Sequence, residues 1–347
     1  MPELTIRAHA PGRVNLIGEH TDYVDGLALP MAIDLGTTIE GHSTDDGRIR
    51  LRSAGFPGVV DLPLTVDDPT TVEPAWGRYV AGVMAEVRPT RGFEGEISTT
   101  IPVGTGLSSS AALELATELA LRSTEPEVRF SSLLDLARAC QRAEQRASGV
   151  PCGLMDQLTS AAGVAGHALL IDFRTSSVEP VPVPDGVEMV VVPSGQEREL
   201  ATSAYAERRA QLESAIAVVG SLRDATLADL ATIDDTVARA RARHVVTENT
   251  RVLDVVAAFR AGDPVGAGRI MTEAHTSFRD DFAASTPVVD ALVERLVATP
   301  GVFGARLTGG GFGGCVVALT EPGVLHEGWV VHASAGARID VYRTQAD

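Results

Sequence analysis

The stretch that decides the fold is PVGTGLSSSAALELA, residues 102–116. It follows a β-like segment over 96–101, turns at Pro102, has glycines at 104 and 106, and continues into an apolar helical run to Leu121. Glycines let backbone N–H groups approach an anion, and a helix start aims its unpaired N–H groups and positive dipole end at the same point. The serines add hydroxyl donors. The pattern favours a phosphate-binding turn, with a Ser-capped helix after a Gly-rich turn as the ordinary alternative.

The charged residues limit the possible functions. All 29 basic residues are arginine, and a chain without lysine has no Walker A loop and no lysine-dependent kinase chemistry. The formal net charge of −17 argues against nucleic-acid or anionic-membrane partners, because the long-range field repels phosphates. Local arginines, backbone amides and a metal would therefore have to bind any anionic nucleotide.

Length and composition indicate two domains in one globular unit. A chain of 347 residues with 44% hydrophobic content can bury a large core. The Pro-rich segment 178–186 has the composition of an inter-domain connection, so we predict domains over 1–184 and 185–347. Three scattered cysteines, a charged N-terminus unlike a signal peptide and the lack of a long apolar run predict a cytoplasmic protein, which we expect to be a monomer.

Hydrophobic periodicity and breaker residues predict the secondary structure. The predicted helices span 75–87, 131–148, 200–219, 236–261, 264–280 and 287–298, with a further helix starting near Leu154. The predicted strands span 4–8, 14–17, 27–33, 36–40, 187–192, 302–307, 315–319 and 338–342, with a break at Pro11-Gly12.

Polar residues are concentrated just after the second predicted strand. Within eleven residues the chain carries Arg13, Glu19, His20, Asp22 and Tyr23. Carboxylates, an imidazole and a phenol at one turn can accept and donate several hydrogen bonds to the hydroxyls of a sugar. An exposed polar loop is the alternative interpretation.

A second group combines a base candidate with metal ligands. Asp156 begins a helix, where the dipole stabilises an anion, and such a carboxylate can accept a hydroxyl proton. Glu144 on the preceding helix and the Ser110 hydroxyl are hard oxygen ligands of the kind that Mg²⁺ accepts beside phosphate oxygens. In isolation, Glu144 is also typical of a helix surface and Asp156 of a helix cap.

Two further features have structural interpretations as well. Residues 308–314 contain five glycines in seven positions between two strands, which suits either close approach to a ligand or a structural bulge. Tyr205, Arg208 and Arg209 share one predicted helix, where a core tyrosine with two surface arginines is the default assignment.

Together these segments resemble the galactokinase family of the GHMP small-molecule kinases. The blocks that carry the resemblance are GRVNLIGEHTDY (12–23), PVGTGLSSSAALELA (102–116), RAEQRASGVPCGLMDQ (142–157) and LTGGGFGGCVVAL (307–319), with weaker similarity in SAYAERR (203–209) and HTSFRDDFAASTP (275–287). The resemblance implies a two-domain α+β fold. Its N-terminal domain would be like ribosomal protein S5 domain 2, its C-terminal domain would be ferredoxin-like, and the active site would lie in the cleft between them.

The resemblance also implies a role for individual residues. Asp156 would take the proton from the anomeric hydroxyl of galactose while Arg13 stabilises the charges, and Ser110 with Glu144 would hold Mg²⁺. The residues implied to bind the sugar are Glu19, His20, Thr21, Asp22, Gly153 and Tyr205. The residues implied to bind the phosphates of ATP are Gly104, Thr105, Gly106, Leu107, Ser108, Ser109 and Ser110.

Two parts of the chain depart from the family pattern. The match is weak and shortened over 42–69, which leaves the contacts to adenine unassigned, and it is loose over 194–198, ahead of Tyr205. A kinase of N-acetylgalactosamine, arabinose or a uronic acid therefore stays open beside galactose. A catalytically silent sugar sensor on the same scaffold is disfavoured, because the phosphate loop, Glu144 and Asp156 are intact.

Overall fold

The computed structural model describes residues 4–102, 104–124, 132–196 and 201–343 of the chain, a mixed α+β structure. Within these ranges the strands are β1 Leu4–Asn15, β2 Leu27–Ala28, β3 Pro30–Thr44, β4 Arg48–Ser53, β5 Val59–Pro63, β6 Gly92–Thr99, β7 His167–Asp172, β8 Ser177–Pro182, β9 Glu188–Pro193, β10 Val302–Thr308, β11 Cys315–Thr320, β12 Trp329–Val331 and β13 Arg338–Arg343. The helices are α1 Gly77–Val87, α2 Ser109–Ser123, α3 Leu133–Ser148, α4 Met155–Ala162, α5 Ala201–Val219, α6 Thr236–Ala261, α7 Pro264–Asp280 and α8 Pro287–Val297.

A six-stranded sheet in the order β13-β1-β3-β6-β4-β5 forms the base of the N-terminal half. Helices α2 and α4 pack on β1 and β3, while α1 and α3 pack on each other and on α2. The apolar core between them includes Ile39, Phe93 and Leu115, all almost fully buried. Because the helices lie on the sheet, the starts of α2 and α4 both come close to the end of β1.

The predicted break at Pro11-Gly12 is wrong, because β1 runs on through both residues. Its register with β3 shifts between Pro11 and Arg13, which marks a bulge. Strand β13 pairs with residues 4–9 and stops before Pro11, so the missing N–H of this proline interrupts no ladder on that side. A Cβ at Gly12 would lie 2.5 Å from the Leu107 carbonyl oxygen, so glycine allows the phosphate loop to pack directly on the bulge.

The predicted connection over 178–186 is also largely a strand. β8 pairs with β7 in a three-stranded sheet of order β2-β7-β8. The prolines of this segment are compatible with pairing because β8 is at the edge of the sheet. It has a neighbouring strand on one side only, so a missing N–H group removes no hydrogen bond to a second strand. The strands predicted separately over 27–33 and 36–40 are the short β2 and the long, continuous β3.

The C-terminal half contains an antiparallel four-stranded sheet in the order β10-β11-β9-β12. Helices α7 and α8 pack on this sheet, and α6 packs on α7 and α5. Phe278, Leu307 and Val316 are fully buried in its core. The chain then returns to the first sheet through β13, so the last strand belongs spatially with the N-terminal half. The boundary near residue 184 stays a prediction.

The long helices agree best with the sequence prediction. α6 and α7 begin and end at the predicted residues. The Asp235 side chain accepts hydrogen bonds from the first N–H groups of α6, and Gly262 ends that helix with φ of 65°. Leu200, the predicted start of α5, lies outside the described residues. Among those described, no helix combines the length and apolar character that crossing a membrane would require.

Candidate active site

A cavity of about 250 Å³ lies where the end of β1, the loop after it, the α3–α4 connection, α5 and the β10–β11 glycine loop meet. Most of the predicted catalytic and sugar-binding residues line it. Those residues are Arg13, Glu19, His20, Asp22, Gly153, Asp156 and Tyr205, and the predicted metal ligand Glu144 lines the cavity with them. Four of them are acidic, so the cavity is rich in hydrogen-bond acceptors.

Arg13 and Asp156 form a two-pronged ion pair at the wall of this cavity. Arg13 Nε donates to Asp156 Oδ1 at 2.7 Å and Nη2 donates to Oδ2 at 2.6 Å. The third guanidinium nitrogen, Nη1, donates to the Gly106 carbonyl oxygen at 2.7 Å. The Arg13 side chain is only 8% exposed, whereas that of Asp156 is 30% exposed. The guanidinium therefore ties the first turn of α4 to the phosphate loop and leaves the carboxylate accessible.

Ser108 links the phosphate loop to the same carboxylate. Its hydroxyl donates to Asp156 Oδ2 at 2.5 Å. The residue has left-handed backbone angles, with φ of 59°, and makes no side-chain cap of α2. Because the hydroxyl is used on Asp156, it does not cap the N–H groups at the start of α2, which suits an anion at this position.

The other loop residues have separate structural roles. Thr105 donates its hydroxyl to the Pro102 carbonyl oxygen at 2.7 Å, which closes the turn. Leu107 is buried in the core, and its carbonyl oxygen accepts from Arg13 N at 3.1 Å. Gly104 and Gly106 have φ of 73° and 72°, in the region that favours glycine. These two glycine conformations let the loop turn tightly where it packs on β1.

Glu144 and Ser110, the predicted metal ligands, lie in contact. Ser110 Oγ donates to Glu144 Oε1 at 2.9 Å, and Gln157 Nε2 donates to Glu144 Oε2 at 2.5 Å. Gln157 also donates to Glu114 Oε2 at 3.1 Å. Burial, followed by the nearby Asp156 carboxylate, raises the pKa of Glu144 above its usual value. Two hard oxygen atoms thus lie together beside the phosphate loop, in a place where a cation would relieve repulsion between carboxylates.

Asp22 lies against the α3–α4 connection and depends on a glycine there. A Cβ at Gly153 would lie 1.7 Å from Asp22 Oδ2, so no larger residue fits. The Met155 N–H donates to that same oxygen at 3.4 Å. Burial and then the charge of Asp156 raise the pKa of Asp22 to about 6. Gly153 thus acts through its small size, which allows Asp22 to approach.

Glu19 is 2% exposed and lies deeper than Asp22. Its Oε1 accepts from the Gly309 N–H at 3.1 Å, and its Oε2 forms an ion pair with Arg306. Burial raises the pKa of Glu19 to about 7, although the charge of Arg306 opposes the rise. The β10–β11 glycine loop therefore holds this carboxylate, which is a role that its sequence left undecided.

His20 is fixed by its backbone and by aromatic neighbours. It has a φ of 60°, and its Nδ1 is 2.7 Å from the Tyr23 hydroxyl. Its Nε2 is 3.2 Å from the Gly310 carbonyl oxygen. The ring centroid lies 5.0 Å from that of Tyr205 and 4.4 Å from that of Phe282. Tyr205 on α5 is thereby brought to the cavity together with His20.

The arginines of α5 make defined contacts instead of lying on a free surface. Arg208 donates to the carbonyl oxygens of Phe282 and Ala283. Arg209 donates to the Pro151 carbonyl oxygen at 2.8 Å, and its guanidinium lies 5.2 Å from the centre of the Tyr23 ring. Arg209 therefore joins α5 to the α3–α4 connection beside the cavity.

Thr21 is the predicted sugar ligand whose side chain does not line the cavity. It is fully buried, and its hydroxyl lies 2.8 Å from the Gly18 carbonyl oxygen and 2.7 Å from that of Leu27. The hydroxyl therefore holds the loop in shape. Its position in the signature motif gave no signal of the direction in which it points.

Sequence reasoning missed three residues with polar side chains at the site. Asn15 and Cys152 line the cavity, and Gln157 bridges two carboxylates behind it. Asn15 follows Arg13 by two positions in β1, and period-two alternation places both on one side of the strand, which could have identified it. Gln157 lies directly after Asp156 in the quoted motif, but one helical step turns it towards α2.

A second and larger cavity, of about 690 Å³, borders the start of α2 at Ser109 and Ser110. Its walls include the aromatic residues Phe56, Trp76 and Tyr79. Part of the segment 42–69, for which the sequence supported no nucleotide contact, therefore contributes to a cavity beside the phosphate loop. Its size and aromatic walls suit a planar base.

Comparisons with known proteins give a consistent result. The model of the galactokinase galactose-binding signature matches residues 2–42. The models of the GHMP kinases N terminal domain and the GHMP kinases C terminal match residues 78–164 and 255–325. The three matches include β1 with the loop that follows it, residues 16–26, which we call the signature loop. They also include the phosphate loop with α3 and α4, and the β10–β11 glycine loop.

Individual relatives agree over most of the chain. Galactokinase from Homo sapiens is 44% identical over 92% of this chain and 84% of its own length. Galactokinase from Chloroflexus aggregans is 42% identical over 97% of this chain and 89% of its own length.

The solved structures agree as well. The crystal structure of Lactococcus lactis galactokinase complexed with galactose superimposes with a TM-score of 0.88 at 31% identity, covering 96% of this chain and 95% of that one. Methanococcus jannaschii mevalonate kinase shares the fold, with a TM-score of 0.69 at 21% identity and 98% coverage of both chains. With three family models in order along the chain and relatives above 40% identity, this chain belongs to the galactokinase family of the GHMP kinases.

Proposed function

We propose that this chain transfers the γ-phosphoryl group of ATP to the anomeric hydroxyl of D-galactose and forms galactose 1-phosphate. The observation that carries the proposal is the Arg13–Asp156 ion pair, which lies where the sugar-sized cavity meets the phosphate loop. The relative solved with galactose bound supports this choice of sugar. Phosphoryl transfer needs mainly positioning and charge neutralisation, and both reactants would meet at this pair.

Asp156 is the proposed base. Three hydrogen bonds reach its carboxylate, two from Arg13 and one from Ser108. A carboxylate has about four acceptor positions, so one stays free for a hydroxyl of the sugar. As the hydroxyl oxygen bonds to the γ-phosphorus, the bond from that phosphorus to the β–γ bridging oxygen breaks and ADP leaves. Asp156 accepts the proton of the hydroxyl. The Arg13 guanidinium neutralises charge on the carboxylate and on the phosphoryl oxygens.

The other polar side chains of the cavity would orient the sugar. Asp22 and Glu19 offer carboxylate oxygens, while His20 and Tyr205 can donate or accept. Three of these side chains come from the loop between β1 and β2 and the fourth from α5, so a hexose held by all of them has one orientation. That orientation would direct the anomeric hydroxyl towards Asp156.

The phosphate loop and the larger cavity would bind ATP. Residues 104–110 supply backbone N–H groups and hydroxyls at the start of α2, and the aromatic cavity would take the adenine. Ser110 Oγ and Glu144 Oε1, 2.9 Å apart, suit Mg²⁺, an ion that takes one or two protein oxygens and fills its other positions with phosphate oxygens and water. When bound, the ion would neutralise phosphate charge.

Compartment and assembly also belong to the proposal. None of Cys140, Cys152 and Cys315, all within the described residues, is in a disulfide bond, as expected in a reducing cytoplasm. We infer a cytoplasmic monomer that uses only small-molecule partners, galactose and ATP.

The direct test is an ADP-formation assay of purified protein with ATP, Mg²⁺ and a panel of free sugars. The panel contains galactose, N-acetylgalactosamine, arabinose and a hexuronic acid. We expect turnover with galactose to exceed that with each other sugar. Turnover with another sugar alone would contradict the choice of galactose, and turnover with none would indicate a sugar sensor.

Asp156→Asn should lower kcat at least about 1,000-fold and leave the Kd for galactose within about threefold, because the amide keeps the shape but accepts no proton. Steady-state kinetics and calorimetric titration with galactose measure the two effects. Asp172→Asn is the control, since Asp172 is also partly buried and paired with an arginine, Arg223, at 3.1 Å. Near-normal kcat in Asp156→Asn would exclude Asp156 as the base.

The KM for galactose should rise as the pH falls from 8 to 5, because protonation of Asp22 and Glu19 removes acceptors. The pKa of Asp22 is about 6, so one pH unit lower it is about 90% protonated. Asp22→Asn should have a higher KM at pH 8 and a flatter pH profile. A profile as steep as that of the wild type would remove Asp22 from sugar binding.

The same variant has a predicted effect on stability. The folded-state pKa of Asp22, about 6, lies above its ordinary value of 3.8. Its contribution therefore favours the folded state fully below pH ~3.8 and is lost as the pH rises through ~6. At pH 8 Asp22→Asn should increase the free energy of unfolding, measured by urea denaturation, although it weakens sugar binding.

Glu144→Ala should weaken ATP binding roughly tenfold or more in the presence of Mg²⁺ and much less in its absence, because the lost carboxylate acts through the ion. Binding of a non-hydrolysable ATP analogue with and without Mg²⁺ measures this. Glu86→Ala is the control, a mostly buried glutamate paired with Arg142 and Arg146. Equal weakening in both conditions would exclude a metal role for Glu144.

A further inference from the structure

A completely buried arginine lies behind the sugar cavity. Arg306, on β10, is 0% exposed and does not line the cavity. Its guanidinium forms an ion pair with Glu19 Oε2 and lies 3.3 Å from Glu248 Oε1. It also donates to the Leu16 carbonyl oxygen at 3.2 Å. One arginine thus contacts two acidic side chains and the backbone of the segment that leads to Glu19.

Glu248 on α6 fastens the same segment from the other side. It is 0% exposed, and its Oε1 accepts from the Gly18 N–H at 3.0 Å. Its Oε2 pairs with Arg251 Nε at 2.8 Å. His244, one turn earlier on α6, has Nε2 3.3 Å from the Glu19 carbonyl oxygen. Residues 16–19 of the N-terminal half are therefore held by α6 and β10 of the C-terminal half.

The two glutamates of this cluster differ in their electrostatic surroundings. Burial raises the pKa of Glu248, but Arg306, His244 and Arg251 outweigh it and hold that pKa at about 2. For Glu19 burial is stronger than the opposing charge of Arg306, and the pKa is about 7. Glu248 is thus a fixed anion that retains Arg306, while the charge of Arg306 is what favours the ionised form of Glu19.

We propose that Arg306 is a positioning residue of the sugar site, which holds the Glu19 carboxylate in place across the junction of the two halves without touching the sugar. The proposal rests on the proposed role of Glu19 in sugar binding. Buried ion pairs add little net stability, but breaking one leaves an uncompensated buried charge. Arg306 would thus make the sugar cavity depend on correct docking of β10 and α6 against the signature loop.

A double-mutant cycle tests this proposal. Glu19→Gln and Arg306→Met should each raise the KM for galactose roughly tenfold or more and leave the KM for ATP within about twofold. Added to Glu19→Gln, Arg306→Met should raise the galactose KM by less than about twofold further, because its target has already been removed. If the rise in galactose KM of the double variant equals the product of the two single rises, Arg306 acts independently of Glu19. That result would overturn the proposal.

The control variant applies the same physical change elsewhere. Arg122 pairs with the fully buried Glu118 at 2.7 Å on α2, so Arg122→Met also leaves a buried glutamate without its arginine. It should lower the free energy of unfolding, as Arg306→Met does, but leave the galactose KM unchanged. An equal rise in galactose KM in both variants would show a general loss of stability and would also overturn the proposal.

Arg306→Lys tests whether the site needs the positive charge of Arg306. It also replaces Arg306→Met in the test if that variant does not fold. It keeps the positive charge but loses the forked geometry, so its galactose KM should lie between those of wild type and Arg306→Met. If Arg306→Lys has the wild-type ratio of galactose KM to ATP KM and Arg306→Met does not fold, Arg306 has a structural role only. A normal galactose KM in Glu19→Gln alone would instead refute the proposed role of Glu19, so the two failures are distinguishable.

Discussion

The contact on which the site depends is the ion pair between the Arg13 guanidinium and the Asp156 carboxylate. It joins the bulge of β1, the first turn of α4 and, through Gly106 and Ser108, the phosphate loop. Each partner is placed by a different feature, since the bulge turns Arg13 and the helix start presents Asp156. A planar guanidinium fits a carboxylate in one geometry, so this pair fixes angles as well as distance. The need for this one geometry explains why the backbone on both sides, at the bulge of β1 and at the first turn of α4, is shaped to hold the pair.

The secondary structure was predictable where local signals agree with packing. α6 has an acidic cap, a regular apolar side and a terminal glycine, and its predicted bounds are confirmed. Secondary-structure prediction from short segments failed where pairing with a distant strand determines the structure. Pro11-Gly12 looks like a break, but β3 pairs on both sides of it, and the prolines of β8 are compatible with an edge strand. Strand pairing between distant segments cannot be read from a short window.

The identity of the site residues was easier to predict than their orientation. Carboxylates, an imidazole and an arginine in one short segment indicate polar chemistry wherever they point, and most of them do line the cavity. Thr21 points into its own loop because the turn, with His20 at a φ of 60°, aims its hydroxyl at Leu27. The role of Arg306 depends on β10 lying behind the signature loop, which only the folded chain reveals. The cavity beside α2 likewise forms from segments without a common motif.

The distribution of charge shows how an acidic protein can bind an anionic nucleotide. The chain has a net charge of −17, and Asp22, Glu144 and Asp156 lie together around the cavity. The raised pKa values of Asp22 and Glu144 show that their surroundings disfavour the ionised forms, mainly through burial and in part through repulsion by Asp156. Sugar hydroxyls and a cation would relieve that repulsion, whereas a free phosphate would increase it. With the proposed ligands, the acidic residues would favour a sugar with a metal-bound nucleotide over phosphate alone.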